Sequence, residues 1–115
     1  MFKGFELYLD DILEAIRRVE LYAAGKSFEE FSKDLLVQDG VCRNLANIGE
    51  AVKRLPAELT DLRPDIEWRK IAGLRDILVH EYAGVDLGIV WDVVRSKLPE
   101  LKTATQAIRV SIAST

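Results

Sequence analysis

The sequence predicts an all-α fold, an up-and-down bundle of four long helices with one or two short ones. Three observations lead there. Apolar residues recur three and four apart along most of the chain, the spacing of a helix with one buried face. The alternating runs that would mark half-buried strands are missing. Glycines, prolines and capping residues cut the chain into helix-sized pieces joined by short breaks. At 115 residues the chain reads as one domain over 1–115, long enough to bury a real core without disulfides or metals.

The first segment runs from about Phe5 to Ala24, with Phe5, Leu9, Ile12, Leu13, Ile16, Val19 and Ala23 forming its apolar stripe. Gly25 is placed to end it. Ser27 followed by Glu30 is a capping-box signature and opens a second helix, expected to end near Val37 to Gly40. A third segment, about Asp39 to Leu55, carries Val41, Leu45, Ile48, Val52 and Leu55 in a narrow stripe suited to core or to a dimer seam. Ala46, Gly49 and Ala51 beside it are small enough to admit a close neighbour. Pro56 ends that helix.

Residues from Pro56 to Glu67 read as a loop or short helix. A fourth segment begins near Trp68 and reaches His80 or Tyr82, with Gly84 and Asp86 beyond it. Asp86 is a plausible N-cap for the last segment, which Pro99 should kink or restart.

Composition narrows the function. A hydrophobic fraction of 49% with 30% charged residues describes a globular protein. The N-terminus lacks the regions of a signal peptide, and no apolar run approaches a membrane span. The expected location is the cytoplasm, with no membrane partner. The single cysteine, Cys42, cannot form an internal disulfide and reads as a small apolar filler. With one cysteine and one histidine the monomer cannot assemble a Cys/His zinc site, and no cofactor is expected. A net charge of −3 argues against a general nucleic-acid binder, so any RNA contact needs a local basic patch. Arg43, Lys53, Arg54, Arg63, Arg69 and Lys70 are candidates for it, although most helical charges are solvated faces. Trp68 and Trp91, with their apolar neighbours, read as core rather than as base-stacking platforms.

The densest set of chemical groups lies in the fourth segment. His80 is the only histidine, and Arg75, Asp76, Glu81 and Tyr82 surround it in sequence. Asp76 and His80 are four apart and share a helical face, so the carboxylate can orient the imidazole. Arg75 and His80 are five apart, roughly 140° around the helix. The arginine must bend toward a common cleft, or a second copy must supply it. A histidine beside an arginine suits phosphodiester cleavage without a metal: the imidazole moves a proton and the guanidinium stabilises phosphate charge. RNA would be preferred because its 2′-hydroxyl is an internal nucleophile. The same residues also fit a plainer account, a histidine favouring the helix macrodipole among surface ion pairs. Asn44 and Asn47, one helical step apart, either line a cleft or bond to backbone.

The run Arg75-x4-His80-x-Tyr82 resembles the R-x4-H-x-Y signature of HepT-like toxins in the HEPN superfamily. Asp76 occupies the polar position after the arginine, where asparagine is frequent. The flanks are similar too: Trp68 to Leu74 before the motif, Val85-Asp86, Val90-Trp91 and Leu98 to Leu101 after it, and Arg43 to Ala51 in the third segment. The resemblance covers nearly the whole chain. It implies a helical bundle that pairs as a homodimer with a composite cleft. Arg75 and His80 would be the residues of a metal-independent RNase. The partner would be an MNT-type nucleotidyltransferase antitoxin that transfers AMP from ATP to Tyr82. A competing expectation is a non-catalytic binding module whose motif is a docking and modification site for such an enzyme, a role that suits the acidic net charge better.

Overall fold

The computed structural model describes residues 2–80 and 84–113, without the side chains of Val79 and His80. A 3-10 turn at Lys3–Phe5 leads into α1, Glu6–Ala23. α2 is Phe28–Lys33, α3 is Leu35–Lys53, α4 is Ala57–Thr60 and α5 is Trp68–His80. α6, Leu87–Asp92, passes through a five-residue π segment, Val93–Lys97, into α7, Leu98–Ala113. The fold is all-helical, as the apolar spacing predicts.

α3 packs between α1 and α5, and α7 packs on α1. Leu9, Ile12, Ile16 and Val19 from α1 meet Val41, Leu45, Ile48 and Val52 from α3 in the core. The narrow stripe of α3 is therefore core and not a seam between copies. Arg109 on α7 pairs with Asp10 at 3.0 Å and Glu6 at 3.4 Å, so charge reinforces the α1–α7 contact.

Local chemistry accounts for most boundaries. Gly25, at φ 70°, takes the left-handed conformation that turns the chain after α1. The capping box is complete: Ser27 Oγ accepts from Glu30 N–H and Glu30 accepts from Ser27 N–H, both at 3.1 Å. Asp86 accepts from the N–H groups of Gly88 and Ile89 and starts α6.

One boundary differs from expectation. The second helix stops at Lys33, and the third begins at Leu35 rather than near Asp39. Asp34 makes this break. Its backbone is extended, at φ −109° and ψ 94°, and its carboxylate accepts from Val37 N–H at 3.1 Å. Gln38, buried, donates its amide at 2.9 Å to the Phe31 carbonyl, which also accepts from Asp34 N–H at 3.2 Å at the end of α2. Neither glycine nor proline marks the site, so sequence spacing runs straight through it.

The expected kink or restart at Pro99 takes the form of a π segment: the helical run continues unbroken from Leu87 to Ala113, and Pro99 follows Val93–Lys97 after Leu98. Just before it, Leu98 N–H reaches back to Val93 O, the wide π bond. The π turn carries the chain past the ring, which would crowd the preceding α-helical carbonyl.

Cys42 is buried on α3, and burial pushes its thiol pKa up. Asp39 adds to the shift. The thiolate is the reactive form, so we expect Cys42 to resist an aromatic disulfide reagent at pH 8 until the chain unfolds. Rapid stoichiometric labelling of the native protein would contradict this packing.

Candidate active site

The motif helix α5 rests on α3 at Gly49. A Cβ at that position would lie 2.9 Å from Ile71 O, 3.0 Å from Arg75 N and 3.2 Å from Ala72 O. The two backbones thus touch where Arg75 leaves its helix. Of the small residues of the third segment, Gly49 admits a close neighbour, and that neighbour is α5.

The next residue, Glu50, sends its carboxylate to Arg75, with Oε2 3.0 Å from Nε. Its other oxygen, Oε1, lies 3.3 Å from Arg54 Nη2. One turn on from Glu50, Lys53 Nζ donates to both oxygens of Asp76 at 3.3 Å. Arg75 Nη1 and Asp76 Oδ1 are 3.6 Å apart. The result is a chain of alternating charge, Arg54–Glu50–Arg75–Asp76–Lys53, across the α3–α5 seam. Three cations and two carboxylates leave one positive charge there, in a protein whose net charge is −3. All five side chains are partly exposed, so the network contributes little to stability but can still fix direction.

α5 stays helical to His80, so the four-residue step from Asp76 holds at the backbone. The expected meeting of Asp76 with the imidazole involves a side chain outside the described residues, as does the placement of Glu81 and Tyr82. What surrounds Asp76 is Lys53 and Arg75. Glu50 and Lys53 are the site residues that sequence reasoning did not assign to Arg75 and Asp76. Their signal was present only as a glutamate and a lysine three apart beside a helical glycine.

The broader basic patch divides. Lys53 and Arg54 join the motif, whereas Arg63 pairs with Asp65 at 3.0 Å and Lys70 with Glu67 at 2.6 Å. Trp68, half-buried, donates its indole N–H to Arg63 O at 2.9 Å. Trp91 packs on Phe31, with ring centroids 4.8 Å apart, and Arg95 covers it at 5.5 Å. Both tryptophans are engaged by their own chain, in keeping with a packing role.

On the other side of Glu50 and Arg54, a groove of about 440 Å³ runs along the surface between α1 and α3. Asn44 and Asn47 line it, and Asn44 donates to Gly40 O at 2.8 Å, the backbone pairing that was one of its two expected roles; Arg75 and Asp76 are not part of this groove. Glu14 lines the same groove. Hydrogen bonds from Arg17, then Arg18, hold its carboxyl at about 2, so it is ionised at any working pH. Among the described residues no group of three or more His, Cys, Asp or Glu side chains is arranged to hold a metal ion.

The chain is thus a helical bundle whose α5 carries an arginine five residues before a histidine, with that arginine paired to a glutamate of the neighbouring helix. Residues 12–108 match the model of the family described as "Ribonuclease HepT-like", and the chain belongs to that family. It is 42% identical over 102 residues to a Methanocaldococcus jannaschii protein named "Gamma-glutamylcyclotransferase and putative RNase MJ0434", covering 89% of this chain and 46% of that one. The chain thus spans under half the length of that relative. It is 41% identical to "Probable ribonuclease HepT" of Thermococcus cleftensis, covering 89% of this chain and 93% of that protein. No solved structure matches.

Proposed function

We propose that the chain is a metal-independent endoribonuclease that acts in the cytoplasm as the toxin of a toxin–antitoxin pair. The observation that carries this reading is Arg75, seated on the α3 backbone at Gly49 and held by Glu50, one turn and a residue before the only histidine of a HepT-like chain. His80 takes the proton of a ribose 2′-hydroxyl. The oxygen attacks the adjacent phosphorus, a 2′,3′-cyclic phosphate forms, and the 5′-oxygen leaves with a proton taken from water. Arg75 stabilises the charge that builds on the phosphate. A homodimer would let the Arg75 of one copy serve the His80 of the other, which resolves their wide angular separation on one helix. No helix among the described residues is long and apolar enough to cross a membrane.

Neutralisation would come from a nucleotidyltransferase antitoxin. The Tyr82 hydroxyl attacks the α-phosphate of ATP, gains AMP and releases pyrophosphate. The added bulk and charge would repel RNA phosphates from the cleft. We expect intact-mass analysis after incubation with an MNT-type enzyme and ATP to show one added AMP per modified chain, and none in Tyr82→Phe. Addition of AMP to the phenylalanine variant would place the modification elsewhere.

The net charge of −3 favours a second reading, a binding module that the transferase docks on and modifies. The deciding experiment is RNA cleavage by the purified protein in excess EDTA, with His80→Ala in parallel. Cleavage by the parent alone supports the ribonuclease. No cleavage by an unmodified parent supports the binding module.

A further inference from the structure

We infer that Glu50 is a positioning residue for Arg75, and that the α3–α5 seam around it is a seat for one RNA phosphodiester. The inference rests on the ribonuclease reading. Glu50 uses both carboxylate oxygens, Oε1 toward Arg54 and Oε2 toward Arg75, so its own rotation is pinned between two guanidiniums. Gly49 beside it lets the α5 backbone sit directly on α3, which sets the distance from Glu50 to Arg75. Asp76 holds the next turn in the same way, with Lys53 on both of its oxygens.

Stability does not account for the arrangement. Glu50 and Arg75 remain 42% and 39% exposed, and ion pairs that wet contribute little to folding. Orientation does account for it. A free arginine side chain samples many rotamers, whereas one whose Nε lies 3.0 Å from a carboxylate that is itself held by Arg54 has its guanidinium confined to the seam, where an incoming phosphate can meet it. The charge matches as well. The five groups carry one net positive charge, and a phosphodiester carries one negative charge. An acidic chain thereby gains a local site for RNA without a basic surface.

The test compares Glu50→Gln, Glu50→Asp and Arg75→Ala with the parent, using the full chain, a short RNA and excess EDTA. Glu50→Gln should keep the parent's thermal midpoint within error while kcat falls on the order of 10- to 100-fold, the range that misplacing a reacting group produces. Glu50→Asp keeps the carboxylate and should recover part of that loss. In the Arg75→Ala background, Glu50→Gln should add nothing, because its effect passes through Arg75. The Arg75 Nε signal in nitrogen-15 NMR should shift between the parent and Glu50→Gln, because the carboxylate 3.0 Å away loses its charge. An unchanged kcat in Glu50→Gln, an additive loss in the double variant, or an unmoved Arg75 signal would each overturn the positioning role and leave the ribonuclease reading standing. A parent that cleaves no RNA in its unmodified form, whatever the Arg75 signal does, overturns both.

Discussion

His80→Ala is expected to cleave RNA at least about 100-fold more slowly than the parent in excess EDTA, with its thermal midpoint little changed. A positioned general acid or base contributes roughly 10²- to 10⁴-fold, and the chain has no second histidine to take over. Arg75→Ala should fall by about 10²- to 10³-fold, the usual cost of losing one donor to developing charge. The two losses should not add, because groups that act on one transition state fail together. Arg75→Lys separates charge from shape. Lysine keeps the charge but loses the planar fork and the Nε contact with Glu50, so most of the activity should go with it. Folded His80→Ala protein that cleaves at the parent's rate would end the proposal. In cells, the same variant should no longer arrest growth.

Much of the fold was legible because apolar periodicity is a direct record of burial. Leu9, Ile12, Ile16 and Val19 were read as one face, and they are the buried face of α1. Val41, Leu45, Ile48 and Val52 were read as a stripe, and whether it was core or seam depended on α1 and α5, which lie elsewhere in the sequence. The break at Asp34 was hidden because its cause is a side-chain hydrogen bond to Val37 and a compensating one from Gln38. Capping by aspartate without a neighbouring glycine or proline leaves the apolar spacing intact on both sides.

The site divides along the same line. Arg75, Asp76, His80 and Tyr82 lie within eight residues, so their grouping was visible in the chain itself. Glu50 and Lys53 lie 25 and 23 residues from their partners, and only the α3–α5 pairing joins them. Gly49 carried a hint of that pairing. A glycine in mid-helix costs about 0.5–1 kcal/mol relative to alanine, so something must require it. The sequence could say that a neighbour approached there. It could not say that the neighbour was the motif helix.

That requirement gives the largest expected effect on stability. Alanine at position 49 should gain up to about 1 kcal/mol of helix propensity if the site were open. It is closed: the new Cβ meets Ile71 O at 2.9 Å and Arg75 N at 3.0 Å, both backbone atoms that no rotamer change can move. Forcing helices apart costs roughly 1–3 kcal/mol, so Gly49→Ala should come out destabilised and Gly49→Val more so. Gly73 is the control. It also sits within a helix, α5, but a Cβ there meets nothing within 4 Å. Gly73→Ala should therefore stabilise by about 0.4–1 kcal/mol. Urea midpoints of the two alanine variants should move in opposite directions. Function separates them further. Displacing α5 at position 49 shifts the backbone of Arg75 itself, so Gly49→Ala should lose cleavage even at temperatures where it is fully folded, on the order of 100-fold for a shift near 1 Å. Gly73→Ala should not. If Gly49→Ala were as stable and as active as the parent, the backbone contact between α3 and α5 could not be what seats Arg75.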